Sequence, residues 1–315
     1  MPAALVAMVL AAGCSAEGAG RPSARHREPA ATVATTQPSL DPPVAYQPLP
    51  GEPAPEAKRV ASDVVQALTT FAAQGDPAAA VAGAVGRLGV PDHVVGQASA
   101  LLVPGSASAG DIVYPQLGGL AAETASVMVV VRQRLLEGTA RRSIVRTVDV
   151  RLARRSGSWA VTSIESAGGR PPAPSVAPSR VAQALLAVDN VVLPDSARWD
   201  ILAGTVDDRV LAILAQLGAE HRVDVTTLAT GHPHNVFDSQ RVSNHTRGRA
   251  VDIWALDGRP VVDQRDLSGS LATLARGLLA VGVSELGGPW DLDGPGGASF
   301  TNVVHQDHLH VGFDR

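Results

Sequence analysis

The chain has 315 residues, 45% of them hydrophobic and 18% charged, with a formal net charge of −4 and a pI near 6.1. That much apolar material supports one to three cored domains and excludes a wholly disordered chain. The mildly acidic balance offers no basic surface of the kind nucleic acid demands. Aromatics are only 3%, so the cores fall to Val, Leu, Ile and Ala; Lys58 is the only lysine, and the remaining basic residues are arginine.

Residues Ala3 to Ala12 form an apolar run ahead of Gly13 and Cys14, the only cysteine. The run is too short to span a bilayer, which takes roughly 18–20 apolar residues, and suits the core of a secretory signal. A single cysteine also excludes an internal disulfide framework and a cysteine-based zinc site. The segment Leu10-Ala11-Ala12-Gly13-Cys14 resembles the lipobox of bacterial lipoproteins. The resemblance implies cleavage before Cys14, lipidation of its thiol, and anchoring at the outer face of the cytoplasmic membrane. Residues 15–54 carry Pro, Ala, Ser and charge without apolar periodicity, and are expected to be a disordered tether.

Over 55–166 the pattern predicts a small α+β domain. Val60, Val64, Leu68 and Phe71 fall on one helical face ending before Gly75, and Asp76-Pro77 opens a second helix through Leu88. Strands are expected over 125–136, 143–154 and 159–164, with Ser156-Gly157 as a turn. This arrangement resembles the cystatin-like and nuclear-transport-factor-like folds. His93 stands alone and reads as a surface histidine. The Gly- and Pro-rich segment 167–180 is a linker by composition.

The last region, 181–315, is expected to be a second α+β domain with an antiparallel sheet and flanking helices. Thr205 and Asp208 look like a capping box for a helix to about 219. Strands are expected at 223–228, 250–255 and 308–313, and a helix at 267–279.

Histidine is distributed unevenly: seven of the nine lie between His221 and His310. His245 sits in a loop before Asp252, which falls on the expected strand 250–255. His308 and His310 alternate with Leu309 and so share a strand face. If the two strands are neighbours, His245, Asp252 and His310 can converge as three nitrogen and oxygen ligands, leaving a fourth position open as catalytic zinc requires.

The motif Ser243-x-His245-x-x-Gly248-x-Ala250-x-Asp252, followed by His308-x-His310, resembles the signature of the zinc D-Ala-D-Ala peptidases, a superfamily that includes murein endopeptidases, lysostaphin-type enzymes and the hedgehog signalling domain. It covers roughly 200–315. The resemblance implies one Zn²⁺ per chain on His245, Asp252 and His310, and a general base beside it. It also implies hydrolysis of peptidoglycan stem peptides or cross-links by a lipid-anchored envelope enzyme. Both His308 and Asp307 are candidates for the base. Ser243, Arg241 and Trp290 are candidate substrate contacts, with Trp290 on a Gly-rich loop, 287–297, that could cover the site. Many carboxypeptidase relatives carry an arginine upstream of the first motif. Here that stretch reads Thr230-Gly231-His232-Pro233-His234, and His232, His234, Arg241, Arg247 or Arg249 would have to replace it. Two other functions fit the pattern: a zinc-stabilised cell-wall-binding module without turnover, and a ligand-binding lipoprotein working through 55–166.

Overall fold

A computed structural model of the protein describes residues 39–173 and 177–315. Cys14, the signal segment and the tether up to Pro38 lie outside the described residues. Among the described residues no helix is long and apolar enough to cross a membrane.

The first region opens with α1 (Pro55–Leu68), α2 (Pro77–Arg87) and α3 (His93–Gln97). Asp76 caps α2 by accepting from the Ala78 N–H at 3.0 Å, as its Asp-Pro start predicts. Phe71 lies past the end of α1, in a backbone bridge to Ser108. Four strands follow as an antiparallel meander: β1 (Ala107–Leu120), β2 (Thr124–Glu137), β3 (Ala140–Arg155) and β4 (Ser158–Ser166). Three of these were expected. The edge strand β1 was not, because Gly110, Pro115, Gly118 and Gly119 mask its pattern. As an edge strand it tolerates the proline, and it is irregular at Ile112/Tyr114 and Leu117/Gly119. Val127, Val129, Val148 and Val150 pack with Ala61, Val64, Val65 and Leu68 of α1 in one apolar core.

The second region contains α4 (Arg180–Leu186), β5 (Val191–Val192), α5 (Asp195–Leu202), α6 (Asp208–Glu220), β6 (Val223–Thr227), β7 (Ala250–Leu256), β8 (Arg259–Pro260), α7 (Ser270–Ala280), β9 (Glu285–Gly287), β10 (Ser299–Phe300) and β11 (Leu309–Gly312). The sheet order is β10-β9-β11-β7-β6-β5, with β8 attached to β7. The sheet is mixed rather than wholly antiparallel, since β9/β10 and β5/β6 run parallel. The cap of α6 is Asp207, which accepts from the Arg209 N–H, while Thr205 Oγ1 donates to Asp200 O instead of capping. A separate apolar core joins α5, α6 and α7 to the sheet.

The described residues cluster as one compact unit, so the two sheets belong together. The face of the first sheet opposite α1 meets the second region. Thr147 Oγ1 donates to Thr226 O at 2.5 Å, the Val145 N–H to Asp195 at 2.7 Å, and Tyr114 stacks on Trp254 at 4.7 Å. Residues 39–54, expected within the tether, run along this unit: Gln66 donates to Val44 O and Arg265 to Gly51 O, and Glu52 is buried.

Candidate metal centre

Antiparallel pairing of β11 with β7 sets His310 directly opposite Asp252. Residues opposite one another in such a pair share a face, so the two side chains meet by register alone. His245 arrives from the loop after β6. Its backbone N–H donates to Ser243 Oγ at 3.2 Å, and the turn closes through Gly248 N–H to His245 O and Arg249 N–H to Asn244 O. Gly248 has φ +69°, and any side chain there would run into the Thr205 carbonyl. The glycine is therefore required both by its left-handed backbone and by close packing.

Three ligand atoms form a nearly equilateral triangle. His245 Nε2 lies 3.0 Å from Asp252 Oδ1 and 3.1 Å from His310 Nδ1, and His310 Nδ1 lies 3.0 Å from Asp252 Oδ1. Tetrahedral zinc at about 2.0–2.1 Å from each ligand would need edges of about 3.3 Å, so these residues fit an ion with a small outward shift. The far side of each ligand is tied. His245 Nδ1 donates to Leu228 O, and His310 Nε2 donates to Glu285 Oε2 at 3.3 Å. Both acceptors are oxygens, so in the neutral rings the proton sits on the outer nitrogen and the nitrogen facing the triangle can take a metal. Burial would raise the Asp252 carboxyl, but His245 and His308 beside it hold it well below its ordinary range. Burial opposes charge on His310, yet its hydrogen bonds to Asp252 and Glu285 push it up to about 9. Burial likewise opposes ionisation of Glu285, which His310, Asn244 and Arg241 nonetheless hold down to about 2.

His232, His245 and Asp252 also offer ligand atoms within 4.8 Å of one another, so this group could hold a metal ion. His232 stacks face to face on His245, with centroids 3.9 Å apart and planes at 15°. A ligated imidazole points its lone pair at the ion within its own plane. Two nearly parallel rings, one above the other, cannot both do so without rotation. His310 meets His245 at 60° and can. The triangle with His310 therefore meets an ion's geometric needs with less ring rotation, and His232 stacks over His245. Desolvation and the neighbouring His245 keep His232 neutral, and its Nδ1 donates to Pro233 O at 2.7 Å.

His308 precedes β11, and its Nδ1 donates to Asp307 Oδ1 at 2.6 Å. Its Nε2 lies 3.9 Å from Asp252 Oδ2, beside the triangle. Asp307 points away from the cleft, toward Lys58. Burial opposes its charge, but Lys58 and His308 hold its carboxyl low. The two base candidates thus separate: His308 faces the site and Asp307 stands behind it.

A cleft of about 210 Å³ opens on these groups. Ser243, Arg241, His305 and Phe300 line it from the second region, and Leu117, Gly118 and Met128 from the first. Arg241 reaches Glu285 at 3.5 Å and is half exposed, which leaves its guanidinium available to a substrate. Ser243 faces the cleft, although its Oγ is engaged by the His245 N–H. Trp290 is a correction: it does not line the cleft. Its indole N–H donates to Arg265 O at 2.9 Å, and its ring packs against the second core. The loop around it is fixed by Asp293, which accepts from Ala298 N–H, Ser299 N–H and Ser299 Oγ. His93 bonds Thr162 O at the surface, remote from the site.

Sequence reasoning missed Glu285, which nothing in Ser284-Glu285-Leu286 announces, and His305, whose Nδ1 donates to Asn302 at 2.9 Å. It also missed Lys58, Gln116 and the Leu117 N–H. Lys58 did carry a signal, as the one lysine among basic residues that are otherwise all arginine.

Comparison with protein-family models, with curated proteins and with solved structures finds no match.

Proposed function

We propose that this protein is a lipid-anchored zinc metallopeptidase of the cell envelope, acting on peptidoglycan stem peptides or cross-links. The observation that carries the reading is the triangle of His245 Nε2, Asp252 Oδ1 and His310 Nδ1, open to a cleft that His308 also lines. Zinc bound there would supply Lewis acidity, polarising a carbonyl and acidifying a water molecule. The chain's own residues do the rest. His308 Nε2 takes the water's proton and returns it to the leaving amine, as a general base must lie within hydrogen-bond reach of the proton it moves. Asp307 fixes the His308 ring and balances its transient positive charge. Arg241, which lines the cleft, takes over from the missing upstream arginine and receives the developing negative charge or the substrate carboxylate. The choice of peptidoglycan rests on the motif resemblance together with the lipobox-like segment, which would place the enzyme against the wall.

The test is digestion of purified peptidoglycan by the zinc-loaded protein, with mass spectrometry of the products. Peptide release that stops with chelator and returns with zinc supports the reading. Zinc loading without any release favours the non-catalytic wall-binding module. Robust hydrolysis of free D-Ala-D-Ala without release from peptidoglycan would move the substrate class to small dipeptides.

A further inference from the structure

Two carboxylates of the site, Asp252 and Asp307, are held from the first region of the chain. Asp252 turns Oδ1 toward the ligand triangle, and its Oδ2 accepts from Gln116 Nε2 of β1 at 2.7 Å. Asp307 gives Oδ1 to His308, while its Oδ2 receives the Leu117 N–H of β1 at 3.0 Å and Lys58 Nζ of α1 at 2.5 Å. Lys58 in turn contacts Glu52 Oε2 at 2.7 Å and the Tyr114 hydroxyl at 3.4 Å. Gln116, Lys58 and Asp307 are all fully buried.

Three features distinguish this from glue between two sheets. The contacts converge on Asp252 and on Asp307, the partner of His308, although the two regions also meet at places remote from the site. A carboxylate accepts only, so the Gln116 amide must turn its NH₂ to Asp252, and it does so although its buried Oε1 has no partner among the described residues. Lys58 is the one lysine in a chain whose other 25 basic residues are arginine. Its ammonium directs donors from a single atom to Glu52, Asp307 and Tyr114.

We propose that the N-terminal region completes the catalytic centre, with Gln116 as a positioning residue for the metal-ligating Asp252 and Lys58 as a positioning residue for the Asp307–His308 pair. The Lys58 half rests on the peptidase reading; the Gln116 half rests only on the metal site. Outer partners of metal ligands typically carry about 10–100-fold in affinity or activity.

Two full-length variants test it. Gln116→Leu removes the donor to Asp252, and zinc affinity is read by chelator competition; a fall of about 10–100-fold is expected. Because Lys58→Met alone strands two buried carboxylates, Glu52→Gln/Lys58→Met is used to keep the charge balanced. It is expected to bind zinc as the unaltered protein does and to lose about 10-fold or more in kcat with KM held. Its His308 ring should pass from one tautomer, Nδ1–H, to a mixture in a long-range ¹H–¹⁵N correlation spectrum. Unchanged zinc affinity in Gln116→Leu, or an unchanged His308 tautomer and kcat in the double variant, would overturn the corresponding assignment. If the unaltered protein binds zinc but hydrolyses nothing, the peptidase reading fails, while the affinity and tautomer measurements still decide the positioning roles.

Discussion

On one face of the first sheet, Val127, Val129, Val148 and Val150 pack against α1; on the other, Gln116, Ser126, Thr147 and Asp149 are just as buried. The apolar face needs only partners of the right size, and each valine gains about 1.5–3 kcal/mol from leaving water. The polar face gains about 0.5–1.5 kcal/mol per hydrogen bond, and only if the right partner is present. A buried polar face is therefore specified by what it meets. Here Gln116 meets Asp252 and Thr147 meets Thr226 O. The apolar face builds the sheet, and the polar face joins it to the site.

Breaking that contrast at the site has the largest expected effect. His308→Ala should keep its zinc and lose about 10²–10⁴ in rate on a peptidoglycan peptide, measured at saturating substrate. Asp307→Ala, which leaves His308 Nε2 facing the site, should cost less. The reverse order would make Asp307 the group that moves the proton.

On the apolar face, Leu152→Ala should cost about 2–5 kcal/mol in urea unfolding without changing zinc stoichiometry. On the polar face, Thr147→Val should cost about 1–3 kcal/mol, because Thr226 O then loses its donor. It should disturb the metal more than Leu152→Ala does. Equal effects of both variants on zinc affinity would erase the distinction between the faces.

The smallest and most gradual effect is in pH. His310 is raised from 6.5 to about 9 in the metal-free protein. Its charge stabilises the metal-free fold below about 6.5, and that stabilisation is lost as pH rises through about 9. Zinc must displace the same proton, so its apparent affinity should rise about tenfold per pH unit from about 6.5 to about 9 and then level off. Zinc titrations at a series of pH values check this; a flat profile would mean that His310 does not hold that proton in the metal-free protein.

Much of the centre was legible in the sequence because its geometry is local. His310 opposite Asp252 follows from two strand patterns, and Gly248 follows from a turn that only glycine makes. The support for the centre was illegible because it is non-local and disguised. Gln116 and Leu117 sit on a strand whose Pro and Gly content argues against a strand. Lys58 lies 249 residues from Asp307, the contact that gives it a role. Trp290 misled for the opposite reason: an aromatic in a Gly-rich loop looks like a lid, but its N–H has a backbone partner and its ring a core to join.

The central claim is the identity of the ligand triangle, and zinc content per chain tests it most directly. Measured by plasma mass spectrometry after dialysis, the unaltered protein should hold one zinc. His310→Ala should hold almost none, and His232→Ala should still hold one. Zinc retained in His310→Ala and lost in His232→Ala would contradict the account and give the third ligand position to His232.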